Sequence, residues 1–132
     1  MPEGPLIAVV DDDRSVRSAT QNLLNAAGFS TFTFESAESF LGSSVRANVE
    51  CLVTDMRMPG MTGLELHEHL ELSGTGIPTV IITAHPEKPT RDRARKAGIT
   101  CFLAKPFAPD ELLECVRHAL AKSRARRTIP KS

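Results

Sequence analysis

The sequence has no tryptophan and no tyrosine, and its aromatic content is confined to six phenylalanines. A surface that stacks sugars or nucleobases therefore has little to be built from. Net charge is absent as well, because sixteen basic side chains balance sixteen acidic ones. That balance argues against nonspecific nucleic-acid binding by the chain as a whole. No apolar run approaches the roughly 20 residues that a membrane helix needs. The opening Met1-Pro2-Glu3-Gly4-Pro5 carries no basic segment ahead of an apolar one, so no secretory signal is expected. Cysteine is scarce and odd in number. Cys51, Cys101 and Cys115 stand apart in apolar surroundings, which reads as reduced core thiols of a cytosolic protein and not as a disulfide or zinc framework. Repeats and low-complexity segments are missing too. What remains is 132 residues, enough for one domain with a real core.

The apolar residues that are present fall into short runs. Leu6 to Val10 is continuous and apolar, the mark of a strand buried on both faces, and it runs directly into Asp11-Asp12-Asp13. Val16, Ala19, Thr20, Leu23, Leu24 and Ala27 recur at helical spacing, with Gly28 as the stop. Phe29 to Phe34 alternates with Ser and Thr, which suggests a strand solvated on one side. Ser36 caps a short helix through Phe40 and Leu41 that ends near Gly42, and residues 43–49 read as loop. Cys51 to Thr54 is the third strand. Asp55 follows at its carboxyl end, then a turn at Pro59-Gly60, then a helix opened by the capping box of Thr62 and Glu65. That helix carries Leu64, His67 and Leu70 to Leu72, and breaks at Gly74 and Gly76. Pro78 opens a buried strand to Thr83. A loop with Pro86 and Pro89 leads to a short, weakly anchored helix from Arg91 to Ala97. Ile99 to Leu103 is the fifth strand, followed by Ala104-Lys105-Pro106-Phe107. The last helix starts near Pro109 and buries Leu112, Leu113, Val116 and Leu120. Strands alternating with helices imply right-handed crossovers and a doubly wound α/β domain, a five-stranded parallel sheet with five helices on both faces.

In such a sheet the carboxyl ends of the strands share one edge, where ligands bind. Asp11 and Asp12, Asp55, Thr83 and Lys105 all stand at strand ends and converge there although far apart in sequence. Three carboxylates cannot share a small site ionised without cationic compensation. A hard divalent cation with oxygen ligands, Mg²⁺ most naturally, meets that need. An ammonium from Lys105 and a hydroxyl from Thr83 add donors for the oxygens of a transferring phosphoryl group, and Asp55 is left as a carboxylate nucleophile.

The set Val10-Asp11-Asp12, Thr54-Asp55-Met56-Arg57-Met58-Pro59-Gly60, Ile82-Thr83-Ala84 and Lys105-Pro106-Phe107 resembles the receiver domain of two-component response regulators, the CheY-like fold. The resemblance spans about Leu6 to Ala121. It implies strand order 2-1-3-4-5 and phosphorylation of Asp55 by a sensor histidine kinase in the cytoplasm. It further implies that Asp12 ligates Mg²⁺ beside Asp55, that Asp11 acts mainly through water, and that the backbone carbonyl of Arg57 completes the set. Thr83 becomes the switch hydroxyl, Lys105 the ion-pair partner and Phe102 the switch aromatic. Ser36-Ala37-Glu38-Ser39-Phe40-Leu41, the Arg57/His85 pair as modulators of phosphoryl lifetime, and Lys96-Ala97-Gly98 are similar to receivers of the FixJ type, which usually precede a DNA-binding domain. Pro86-Glu87-Lys88-Pro89 and the charged Arg91-Asp92-Arg93 depart from that pattern. Residues 1–124 are then the receiver, and 125–132 a basic tail or the start of a linker to an output domain. DNA contact is expected only through such a domain. The activity expected is a phosphoacceptor switch, not an enzyme with an external product, controlling homodimerisation or an output domain in transcription.

Plainer roles stand beside these. Asp13 suits a helix cap. Thr83 suits a strand hydroxyl bonded to backbone, Lys105 a solvated loop lysine, and Phe102 a core ring. His67 and His69 lie two apart on a helix and do not share a face, so a metal site there is not expected. Two other functions compete. One is a constitutive interaction module of the same fold that works without phosphorylation. The other is an aspartyl-phosphate hydrolase of the dehalogenase kind, which wants a second acid two residues after the nucleophile, where Arg57 stands.

Overall fold

The computed structural model describes residues 4–74 and 76–128, with side chains through Lys122. Its elements are β1 (Leu6–Val10), α1 (Arg14–Ala26), β2 (Ser30–Phe34), α2 (Ala37–Leu41), β3 (Cys51–Asp55), α3 (Gly63–Leu72), β4 (Thr79–Thr83), α4 (Lys88–Lys96), β5 (Cys101–Ala104) and α5 (Pro109–Thr128). The strands form one parallel sheet in the order β2-β1-β3-β4-β5. The doubly wound α/β architecture expected from the sequence is therefore the one observed. Among the described residues no helix is long and apolar enough to cross a membrane.

Strand alternation divides the core in two. Ile7, Val9, Cys51, Val53, Val80, Ile82 and Leu103 face α1 and α5, where Leu24, Leu112, Val116 and Leu120 meet them. Ala8, Val10 and Leu52 face α2 and α3, against Phe40, Leu66 and Leu70. The central strands are buried on both faces, as continuous apolar runs require. The edge strand β2 is half-buried, and Phe32 stays exposed while Phe34 packs edge-on against Phe40. On α1 the buried line runs through Thr20 and Leu24, while Ala19 and Ala27 face solvent. The end of α1 is fixed by Gly28 at φ +97°, a conformation that costs other residues a steric clash.

Several expectations need correction. Residues 43–49 are not plain loop, because Ser44–Asn48 forms a 3-10 helix whose first turn is capped by the Ser43 side chain accepting from the Val45 N–H. Helix α4 begins at Lys88, three residues before the expected Arg91. Pro89 sits in its first turn, where a missing N–H costs nothing, so this proline starts the helix instead of ending a loop. Its weak anchoring is as expected, since Ala94 is its one buried residue. Helix α5 runs on through Thr128, past the proposed boundary at 124, and residues 129–132 of the basic tail lie outside the described residues. The cysteines also differ. Cys51 is free and buried, but Cys101 and Cys115 are joined by a disulfide, because β5 and α5 pack with these two Cα atoms 5.7 Å apart.

Candidate functional site

Each acidic residue is delivered by a strand end and held by local hydrogen bonds. Asp11 follows β1, where its N–H donates to the Phe34 carbonyl at 3.1 Å. Its own carbonyl accepts from Arg17 Nη1 at 2.8 Å, and its Oδ1 accepts from the Asp13 N–H at 2.9 Å. Asp13 is the N-cap of α1, accepting from the Ser15 and Val16 N–H groups, so its role is structural. Asp55 closes β3, and the Met56 N–H extends the ladder to Ile82 at 2.8 Å. The chain then turns through Gly60 at φ +81° and enters α3 at Gly63. A Cβ on Gly63 would lie 2.5 Å from the Asp55 carbonyl oxygen, so only glycine lets the capped start of α3 approach the strand end this closely. The Thr62–Glu65 capping box is present in both directions, at 3.1 and 2.9 Å.

Carboxylate oxygens of Asp11, Asp12 and Asp55 all lie within 4.8 Å of one another. Lys105 reaches them from the end of β5, with Nζ 3.7 Å from Asp55 Oδ1 and 3.9 Å from Asp11 Oδ2. Both distances exceed hydrogen-bonding range, so the ammonium is shared as a charge. Burial raises the Asp55 carboxyl above the ordinary carboxylate range, against the pull of Lys105 and with a further push from Asp12. Burial raises Asp11 too, opposed by the Asp13 N–H and helped by the neighbouring Asp55. One lysine thus leaves three acids under-compensated. An all-oxygen donor set with excess negative charge, open at Asp12, fits a hard divalent cation.

The other expected residues divide. Thr83 ends β4 fully buried, and its hydroxyl accepts from the His85 N–H at 3.0 Å. Phe102 is half-buried on β5, with the Arg91 guanidinium 6.0 Å from its ring centroid. The Arg57 and His85 side chains are exposed and do not join the acid cluster. Arg57 instead pairs with Glu87 at 3.6 Å, bridging the loops after β3 and β4. His67 is buried, with Nδ1 2.8 Å from Thr79 Oγ1 and Nε2 2.9 Å from the Ala97 carbonyl, so it ties α3 to the sheet and to the end of α4. Sequence reasoning noted Glu87 and Arg91 only as departures from the family pattern, without these contacts, and missed Arg17. For Arg17 a signal existed, since it stands one turn into a helix that starts at the acidic strand end. For the others the needed fact is which loop faces which.

The model of the response regulator receiver domain matches residues 7–117. This chain belongs to that family. The receiver is similar to the transcriptional regulatory protein FixJ of Azorhizobium caulinodans, 37% identical over 93% of this chain and 58% of the relative. It is also similar to nodulation protein W of Bradyrhizobium diazoefficiens, 38% identical over 92% of this chain and 54% of that protein. The chain spans about half the length of the curated relatives it matches. Among solved structures, the response regulator StyR superposes with a TM-score of 0.86 at 48% identity, covering 94% of this chain and 63% of that one. FixJ-N gives 0.81 at 32% identity, covering 98% and 99%. The chain is thus the receiver domain of a two-component response regulator, and its homologues include transcriptional regulators.

Proposed function

We propose that Asp55 accepts a phosphoryl group from a cytoplasmic sensor histidine kinase, and that the receiver answers by changing its α4-β5-α5 face. What carries the reading is the meeting of Asp11, Asp12 and Asp55 oxygens within 4.8 Å, with Lys105 Nζ 3.7 Å from Asp55. In the transfer, an Asp55 carboxylate oxygen forms the new O–P bond as the N–P bond to the kinase histidine breaks, and the imidazole leaves with the bonding pair. Asp11, Asp12, Asp55 and the Arg57 backbone carbonyl would hold Mg²⁺, which would supply positive charge toward the phosphoryl oxygens.

The phosphorylated side chain carries about two negative charges, by analogy with side-chain phosphates, which is about one more than the carboxylate it replaces. Lys105, already shared between Asp11 and Asp55, shifts onto the phosphoryl oxygens. The Thr83 hydroxyl, which accepts from the His85 N–H, turns its proton toward the same oxygens. Phe102 then moves inward from under Arg91. Arg57 and His85, exposed at the mouth, modulate how fast water removes the group. Residues 1–124 form the switching unit, and residues 125–132 are a basic tail or the start of a linker to an output domain in transcription, controlled by phosphorylation or by pairing of two copies.

The test is transfer from a histidine kinase autophosphorylated with radiolabelled phosphate. Label should pass to the wild-type receiver and not to Asp55→Asn. Label arriving equally on both would overturn the assignment of Asp55.

A further inference from the structure

Two cysteines that the phosphoacceptor chemistry does not use meet between β5 and α5. Cys101 opens β5 and is half-buried, Cys115 lies on the inner face of α5, and a disulfide joins them. They are 14 residues apart in sequence, and their Cα atoms are 5.7 Å apart, the usual spacing for such a bond. A surface groove of ≈ 740 Å³ is lined by both cysteines, with Glu111, Glu114, Arg117 and His118 beside them. A solute thus has a route to the pair. The third cysteine contrasts with them. Cys51 is fully buried in the sheet, and burial pushes its thiol up to about 12.

We propose that Cys101 and Cys115 form a reversible thiol–disulfide couple, closed by a peroxide and opened by a dithiol reductant. In closure, one thiolate attacks a peroxide oxygen, giving a sulfenic acid and the first water once protons are counted. The second thiol then displaces the sulfenic oxygen as the second water, and the S–S bond forms. The two sulfurs lose two electrons and the peroxide gains them. In opening, a thiolate of the reductant attacks one sulfur, its second thiol resolves the mixed disulfide, and two electrons return.

Closure ties the strand that carries Phe102 to the helix behind it. In a consequence that rests on the switch reading above, the closed form answers phosphorylation with less association than the open form. The couple itself is tested without phosphate.

The full chain is reduced with dithiothreitol, desalted, treated or not with hydrogen peroxide, then denatured in N-ethylmaleimide and weighed. The reduced protein should take up maleimide on all three cysteines, and the oxidised protein on Cys51 alone, with a cross-linked peptide joining Cys101 to Cys115. Dithiothreitol added to the folded oxidised protein should restore three. The oxidised form should also melt higher, by roughly 10 °C for a loop of this length in a domain of this size. Cys101→Ser and Cys115→Ser should each lose both the cross-link and the melting shift. Three maleimides after peroxide, a pair that includes Cys51, or a bond the reductant cannot open in the folded protein would each overturn the proposal. Because none of these readouts involves Asp55, failure of the phosphoacceptor reading would leave them unchanged.

Discussion

Replacing Asp55 with asparagine should make the receiver more stable, although most substitutions at half-buried positions do the opposite. The reason lies in the balance of charges around that carboxylate. Asp11 and Asp55 oxygens within 4.8 Å repel by about 3.5 kcal/mol at an effective dielectric near 20. The exposed Asp12, screened by water, adds about 1 kcal/mol. Lys105 at 3.7 Å returns about 4.5 kcal/mol. These nearly cancel, so the desolvation of a carboxylate whose side chain is only 12% exposed decides the sign. Asparagine keeps the shape and removes that cost, for a gain on the order of 1–2 kcal/mol, or roughly 3–8 °C in Tm. The pH dependence follows from the raised carboxyl. The folded state favours the neutral acid, so the stability this group contributes is present below the unfolded value of 3.8 and is lost as pH rises through the higher folded value. The advantage of Asp55→Asn should therefore be full near neutrality and vanish in acid. Millimolar Mg²⁺ should raise the Tm of the wild type and move the variant less. Calorimetric melts across pH, with and without Mg²⁺, read all of this. A lower Tm for Asp55→Asn at neutral pH would refute the charge reasoning.

Other substitutions separate chemistry from coupling and architecture. Thr83→Ala should still take up phosphate on Asp55 but lose most phosphorylation-dependent association, read by light scattering beside the adduct mass. Normal association by the phosphorylated variant would break the proposed coupling. Gly63→Ala should cost about 2–3 kcal/mol in urea unfolding, because the new methyl meets the Asp55 carbonyl at 2.5 Å. Thr62→Ala should cost about 1 kcal/mol by the same measure, through loss of one half of the capping box.

Much of this molecule was legible because its signals are local. Leu6–Val10, Cys51–Asp55 and Thr79–Thr83 are short apolar runs that a two-sided parallel sheet demands, and each is followed by the polar residue that the sheet edge collects. The capping box at Thr62 and the stop at Gly28 are likewise written in neighbouring residues. The acid cluster was legible one step removed, since strand order brings Asp11, Asp12, Asp55 and Lys105 to one edge. What escaped depends on facing, not order. Pro89 carries the same signal whether it ends a loop or opens a helix, and it does the latter. Cys101 and Cys115 look unrelated until α5 folds back across β5. Arg57 meets Glu87, and Arg91 meets Phe102, through loop and helix placements that no periodicity encodes.

The central claim is that Asp55 is the phosphoacceptor and that the acid cluster works with a divalent cation. Intact-protein mass spectrometry after incubation with acetyl phosphate tests it most directly. One phosphoryl adduct is expected on the wild type with Mg²⁺, and none on Asp55→Asn or in the presence of a chelator. An adduct that persists in Asp55→Asn, or that forms equally well without the cation, would contradict the account.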